Sequence, residues 1–81
     1  MESNNDIVSL VNQAAIALAN RHYQDALKAY ASALEIAKQV GRSRLVAALL
    51  NRMGQVLQMQ GKIQDAVIAY ESANSWRWEI L

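Results

Sequence analysis

The chain has no cysteine and no proline. Without cysteine there is no disulfide, no thiolate metal site and no cysteine nucleophile, a composition that fits a reducing compartment. Without proline, nothing forces a break in a helix. An excess of charge of one sign is missing too: eight basic residues oppose seven acidic ones, for a net charge of +1. No broad field therefore favours nucleic acid or an anionic membrane, and either would need a local patch. The longest strictly apolar runs, Ala14 to Ala19 and Leu45 to Leu50, are far short of the ~18 residues of a membrane span. Met1-Glu2-Ser3-Asn4-Asn5-Asp6 is polar and acidic, with no basic segment ahead of an apolar one, so it does not read as a signal peptide. These absences give the expectation of a soluble, cytoplasmic protein.

A catalytic constellation is missing as well. His22 is the single histidine, and no Ser or Asp spacing around it suggests a triad. It reads as a turn or capping residue. There is no phosphate-cradling glycine loop and no metal-ligand spacing. The expectation is a protein that is not an enzyme and uses no cofactor or metal.

What is present is apolar and helix-prone. Apolar residues make up 53% of the chain and charged residues 19%, too apolar a balance for a disordered tail. Eighty-one residues suffice for one domain, residues 1–81, which buries only a modest share of its surface.

The chain repeats itself. Gln24-Asp25-Ala26, Ala29-Tyr30 and Ser32-Ala33 return forty residues later as Gln64-Asp65-Ala66, Ala69-Tyr70 and Ser72-Ala73. The alanines alone would be weak evidence, but Gln-Asp-Ala and Tyr-x-Ser-Ala in one register mark an internal repeat. Repeat 1 covers about 5–40 and repeat 2 about 43–78.

Each repeat reads as two helices. Ile7, Leu10, Val11, Ala14, Ala15 and Leu18 follow the three-and-four spacing of one helix face, which predicts a first helix from about Asn5 to Asn20. Ser3, Asn4 and Asn5 are cap formers ahead of it, and Asn20 is the residue expected to take the left-handed conformation at its end. Tyr23, Ala26, Leu27, Tyr30, Ala33, Leu34 and Ala37 carry a second helix that stops at Gly41. Leu45, Val46, Leu49, Leu50, Met53, Val56 and Leu57 carry a third that stops at Gly61. A fourth begins near Lys62 with Ile63, Ala66, Val67, Tyr70 and Ala73 on its face; it ends either at Asn74-Ser75 or beyond Trp78. Asp25 and Asp65 suit the positive ends of their helices, Lys38 the negative end of its own. Gly54, inside the third helix, costs ~0.5 to 1 kcal/mol relative to alanine, which predicts that a neighbouring helix comes close there. Short turns make successive helices antiparallel. The expected fold is all-α, two stacked antiparallel helical hairpins.

On these residues the chain resembles the tetratricopeptide repeat family. Leu50-x-x-Met53-Gly54-x-x-Leu57, then Gly61 and Ala66-x-x-x-Tyr70-x-x-Ala73, match the family pattern. Repeat 1 matches through Ala26, Tyr30 and Ala33, and more loosely through Leu10-x-x-Gln13-Ala14-x-x-Ala17. The forty-residue period exceeds the family's usual ~34 and looks like the long-helix variety found in kinesin light chains and in many bacterial signalling proteins. The resemblance implies a fragment of a right-handed α-solenoid, in which small residues (Ala14, Ala26, Ala33, Gly54, Ala66 and Ala73) allow helices to approach and tyrosines fill the gaps. It implies no catalysis and a protein or peptide partner held in a groove lined by the first helix of each repeat.

In that groove Val11, Ala15 and Leu18 would form an apolar wall. Asn51, Gln55 and Gln58 would form an amide stripe able to donate and accept, so the pair suits an amphipathic helix or extended peptide. The ordinary alternative is a solvated face. The family's carboxylate clamp has no counterpart, since Val11 and Ala15 stand in its places, so a chaperone tail is not expected. Two repeats are few for a stack, which gives the expectation of self-association, a C-terminal continuation or packing of the last helix by a partner, with Trp76 and Trp78 either folded back on that helix or serving as interface anchors. The alternative function is therefore a homodimer through the exposed repeat face and an interface of Trp76, Trp78, Ile80 and Leu81, with Trp a frequent interface anchor. A regulatory nucleic-acid role rests only on Arg42, Arg44 and Arg52 with Lys38 and Lys62, too little charge without interleaved aromatics.

Overall fold

The computed structural model describes the backbone of residues 3–78 and the side chains of residues 6–76. It contains four helices, α1 (Ser3–Ala19), α2 (Tyr23–Gln39), α3 (Ser43–Met59) and α4 (Ile63–Trp78), with no strand among the described residues. Each helix starts twenty residues after the one before it. The forty-residue repeat thus contains two helices of matched length. α1 begins two residues ahead of the expected Asn5, and α4 passes Asn74-Ser75 to Trp78, because neither residue is followed by a glycine or proline that would stop it.

The three turns are closed in the same way. The second residue past each helix takes a left-handed conformation, with φ of 62° at Arg21, 74° at Gly41 and 80° at Gly61. The N–H groups of His22, Arg42 and Lys62 donate to the carbonyls of Ala17, Ala37 and Leu57 at 2.8–3.0 Å. Those of Arg21, Gly41 and Gly61 donate to Leu18, Lys38 and Gln58. This paired pattern is the Schellman motif, which satisfies carbonyls that a helix end leaves free. Asn20 does not take the left-handed place expected of it; Arg21 does, one residue later. The turn geometry is common to all three sites and fixes the position whichever residue occupies it.

α1 packs on α2, α2 on α3 and α3 on α4, with no substantial contact between non-neighbours. The Cα trace measures 31 × 28 × 13 Å, so the molecule is flattened along one axis. Alanines dominate its core. Ala14, Ala26, Ala33 and Ala37 are fully buried, and Ala66 and Ala73 nearly so, which lets neighbouring axes come close. Tyr30, Val46 and Val56 are the largest of the fully buried side chains, with Leu49 and Ile7 nearly as covered. Gly54 has the close neighbour its position predicts: a Cβ built there would lie 2.8 Å from Cε1 of Tyr70.

Two members of the fourth helix's expected apolar face are not covered. Ile63 is 55% exposed and Val67 47%, because that side of α4 has no further helix against it. The hydrophobic period marks a face of a helix but does not report whether anything lies on it.

Candidate partner-binding surface

α1 and α3 run in the same direction with α2 between them, and their residues correspond at the forty-residue offset. Val11 pairs in this sense with Asn51, Ala15 with Gln55 and Leu18 with Gln58. Val11 and Leu18 are half-buried against the core and Ala15 is exposed. Asn51 is half-buried, and Gln55 and Gln58 are exposed. The helical phase therefore puts an apolar strip on α1 and an amide strip on α3, on equivalent sides of the two helices.

One of the amides is already engaged. Tyr70 Oη donates to Gln58 Oε1 at 3.0 Å, which ties that end of α3 to α4. The Gln58 amide hydrogens are then what this residue can offer a partner.

The same strips continue past the residues picked from the sequence. Val8 is 58% exposed, Met59 56%, and Ala19 and Ala48 are also exposed. Val8 lies three residues before Val11, and Ala48 three before Asn51. Extending the i, i+3, i+7 spacing backward would have found both. Met59 was hidden because a methionine beside a turn reads as the end of a core stripe.

At the other end of the chain, Trp76 is half-buried and packs against the core. Part of its ring thus covers this molecule's own α-helices. Trp78 ends α4, its side chain lies outside the described residues, and Ile80 and Leu81 lie outside them altogether.

The basic residues are spread along α3 and the turns at its two ends, with Arg52 exposed midway along the helix. Lys38, Arg42 and Arg44 are exposed at or beside the turn between α2 and α3, and Lys62 is exposed at the turn between α3 and α4. The seventeen residues of α3 separate the two turns by roughly 25 Å at 1.5 Å per residue. The sequence proximity of Lys62 to the arginines is undone by the intervening helix. His22 is the N-cap of α2, with no side-chain cap bond. Among the described residues, no group of three or more His, Asp or Glu is placed to hold a metal ion, and no helix is long and apolar enough to cross a membrane.

Tandem helical hairpins, each joined by a Schellman-closed turn and packed only on its neighbours, define a helical repeat protein. The family model for the tetratricopeptide repeat matches residues 6–73, most of the chain, and the protein belongs to that family. No curated protein and no solved structure gives a match to set beside this one.

Proposed function

We propose that the chain is a protein–protein interaction module that holds a peptide or helix across α1 and α3, in a cytoplasmic setting and without chemistry of its own. The observation that carries this is the apolar strip on α1, exposed Val8, Ala15 and Ala19 with half-buried Val11, set one helix away from Asn51, Gln55 and Gln58 on α3. An apolar wall supplies non-directional attraction, and the amides supply donors and acceptors that fix a partner's register. Membership of the repeat family supports an interaction role.

Partner recovery from native lysate tests the reading. Wild type is compared with a Val8→Glu/Ala15→Glu double variant and with a variant carrying Asn51, Gln55 and Gln58 all changed to Ala. Both variants should lose the partner that wild type retains, with unchanged helical circular dichroism. Recovery of the same partners by both would remove this surface from consideration.

A further inference from the structure

Charge is sorted among the helices. α3 carries two arginines, Arg44 and Arg52, and no acid. The one acid of α1 is Asp6, nine residues before Ala15 and therefore half a turn away from it at about 100° per residue. The other acids among the residues with described side chains, Asp25, Glu35, Asp65 and Glu71, lie on α2 and α4. On α3, Arg44, Ala48, Gln55 and Met59 are exposed and follow the i, i+4, i+11, i+15 spacing of one helix face, with exposed Arg52 at its edge. This is the side that also bears Asn51 and Gln58. The surface formed by α1 and α3 thus offers cations and no carboxylate.

Arg44 departs from a rule that the other three helices keep. Asp6, Asp25 and Asp65 stand in the first turns of α1, α2 and α4, where the positive end of the macrodipole favours an anion. The first turn of α3 has no acid and holds Arg44 instead. Among the described residues neither Arg44 nor Arg52 has an ion-pair partner. A carboxylate brought from outside would answer both the bare guanidinium and the helix end.

We infer that the surface across α1 and α3 takes an acidic amphipathic helix of a partner protein, its carboxylates on Arg44 and Arg52 and its apolar side chains on Val8, Ala15 and Ala19. This rests on the interaction role proposed for that surface and names the chemistry of the occupant. Eight residues separate the two arginines, about 12 Å along the axis, close to the rise between carboxylates two turns apart on a helix laid along α3. Each guanidinium can hold a carboxylate through two parallel N–H donors. Nucleic acid would meet the same cations, but Tyr23, Tyr30, Tyr70 and Trp76 are all buried or half-buried. No exposed ring among the described residues is left for a base to stack on, and the apolar strip of α1 gives nothing to a phosphate backbone.

The test uses the full chain and two synthetic peptides as long as the 17-residue α3. Both carry leucine along one face at three-and-four spacing with alanine beside it, and their polar face bears glutamate in one and lysine in the other. Titration calorimetry should show the glutamate peptide binding in the micromolar range and the lysine peptide not binding. Arg44→Glu and Arg52→Glu should each weaken the glutamate peptide by about fivefold or more, as attraction becomes repulsion at one pair. Lys28→Glu, the same change of charge on α2, should alter it by less than about twofold because salt screens the distance. All three positions are exposed, and circular dichroism should find the variants folded.

Equal binding of the two peptides, no binding of either at millimolar concentration, or an equal effect of Lys28→Glu would overturn the inference. So would a single-stranded oligonucleotide that binds more tightly than the glutamate peptide, or a wild-type dimer in sedimentation that Arg52→Glu dissociates, since the occupant would then be nucleic acid or a second copy. Partner recovery separates this inference from the role it rests on. A lysate partner lost by Val8→Glu/Ala15→Glu but kept by Arg44→Glu/Arg52→Glu would leave the surface standing and remove the acidic occupant.

Discussion

Gly54 lies under the ring of Tyr70, close enough that a single added carbon would stand 2.8 Å from Cε1 and 3.0 Å from Cδ1 and Cζ. The ring is held from its far end by the hydrogen bond of its hydroxyl to Gln58, so it cannot swing aside freely. Repeat 1 places Ala14 at the equivalent position, fully buried. The two repeats therefore share a backbone but not a packing solution at this point.

The sign of Gly54→Ala should depend on Tyr70. In the wild-type background the helix gains ~1 kcal/mol from alanine but loses about 1–3 kcal/mol to overpacking, for a net loss on the order of 1 kcal/mol. In a Tyr70→Ala background the loss disappears, and the same change should stabilise by up to about 1 kcal/mol. Urea unfolding of the four proteins in this cycle measures both values. Equal effects in the two backgrounds would show that the ring is not what selects glycine.

Arg21 and Gly41 offer opposite substitutions at one turn geometry. A residue with a Cβ in the left-handed region costs ~1–2 kcal/mol. Arg21→Gly should recover about 1 kcal/mol of that after the flexibility glycine adds to the unfolded chain, and Gly41→Ala should lose a similar amount. Thermal melts should move in opposite directions, and a shift of the same sign in both would contradict the shared turn.

The tyrosines at repeat-equivalent positions should differ in worth. Tyr30 is 2% exposed, within a core shared by three helices, whereas Tyr70 remains half-exposed on the last helix. Tyr30→Ala should cost about 3–5 kcal/mol, as large-to-small changes in cores do. Tyr70→Ala should cost roughly half as much or less, in proportion to the smaller area it buries. Chemical denaturation of the two variants tests the ranking, and equal losses would mean that the outer face of α4 is covered in solution.

Gln60 should be improvable. Its side-chain oxygen is buried without a hydrogen-bond partner, and a buried acceptor left unsatisfied costs ~1–3 kcal/mol. Gln60→Met, similar in length and apolar, should raise stability by about 1 kcal/mol in urea unfolding. A destabilised variant would show that the oxygen is satisfied in solution.

Much of the scaffold was legible because its signals are local. Gly41 and Gly61 mark two of the three turns by their freedom at positive φ, and the three-and-four spacing of Val46, Leu49, Met53 and Val56 marks a helix without reference to anything distant. Arg21 was not legible, since nothing about an arginine announces a left-handed backbone; only the twenty-residue spacing of the helices assigns it. The exposure of Ile63 and Val67 was hidden for a different reason. Their spacing is that of a core face, and a face is covered or bare according to its neighbour. For the binding surface, the phase of Val11, Ala15 and Leu18 could be read from the sequence. Its extension to Val8 follows from the same spacing, but that to Met59 needed burial, because apolar residues in and beyond a stripe look alike until something fails to cover them.

The serial packing of α1 on α2, α2 on α3 and α3 on α4 also bears on how quickly the chain finds its structure. Every interface closes a loop no longer than one hairpin, so the entropy lost before a contact forms is small. Proteins rich in such short-range contacts fold in microseconds to milliseconds. An outermost hairpin can form before the rest of the chain is available, and synthesis from the N-terminus would then deliver α1 first and the exposed Ile63 and Val67 of α4 last.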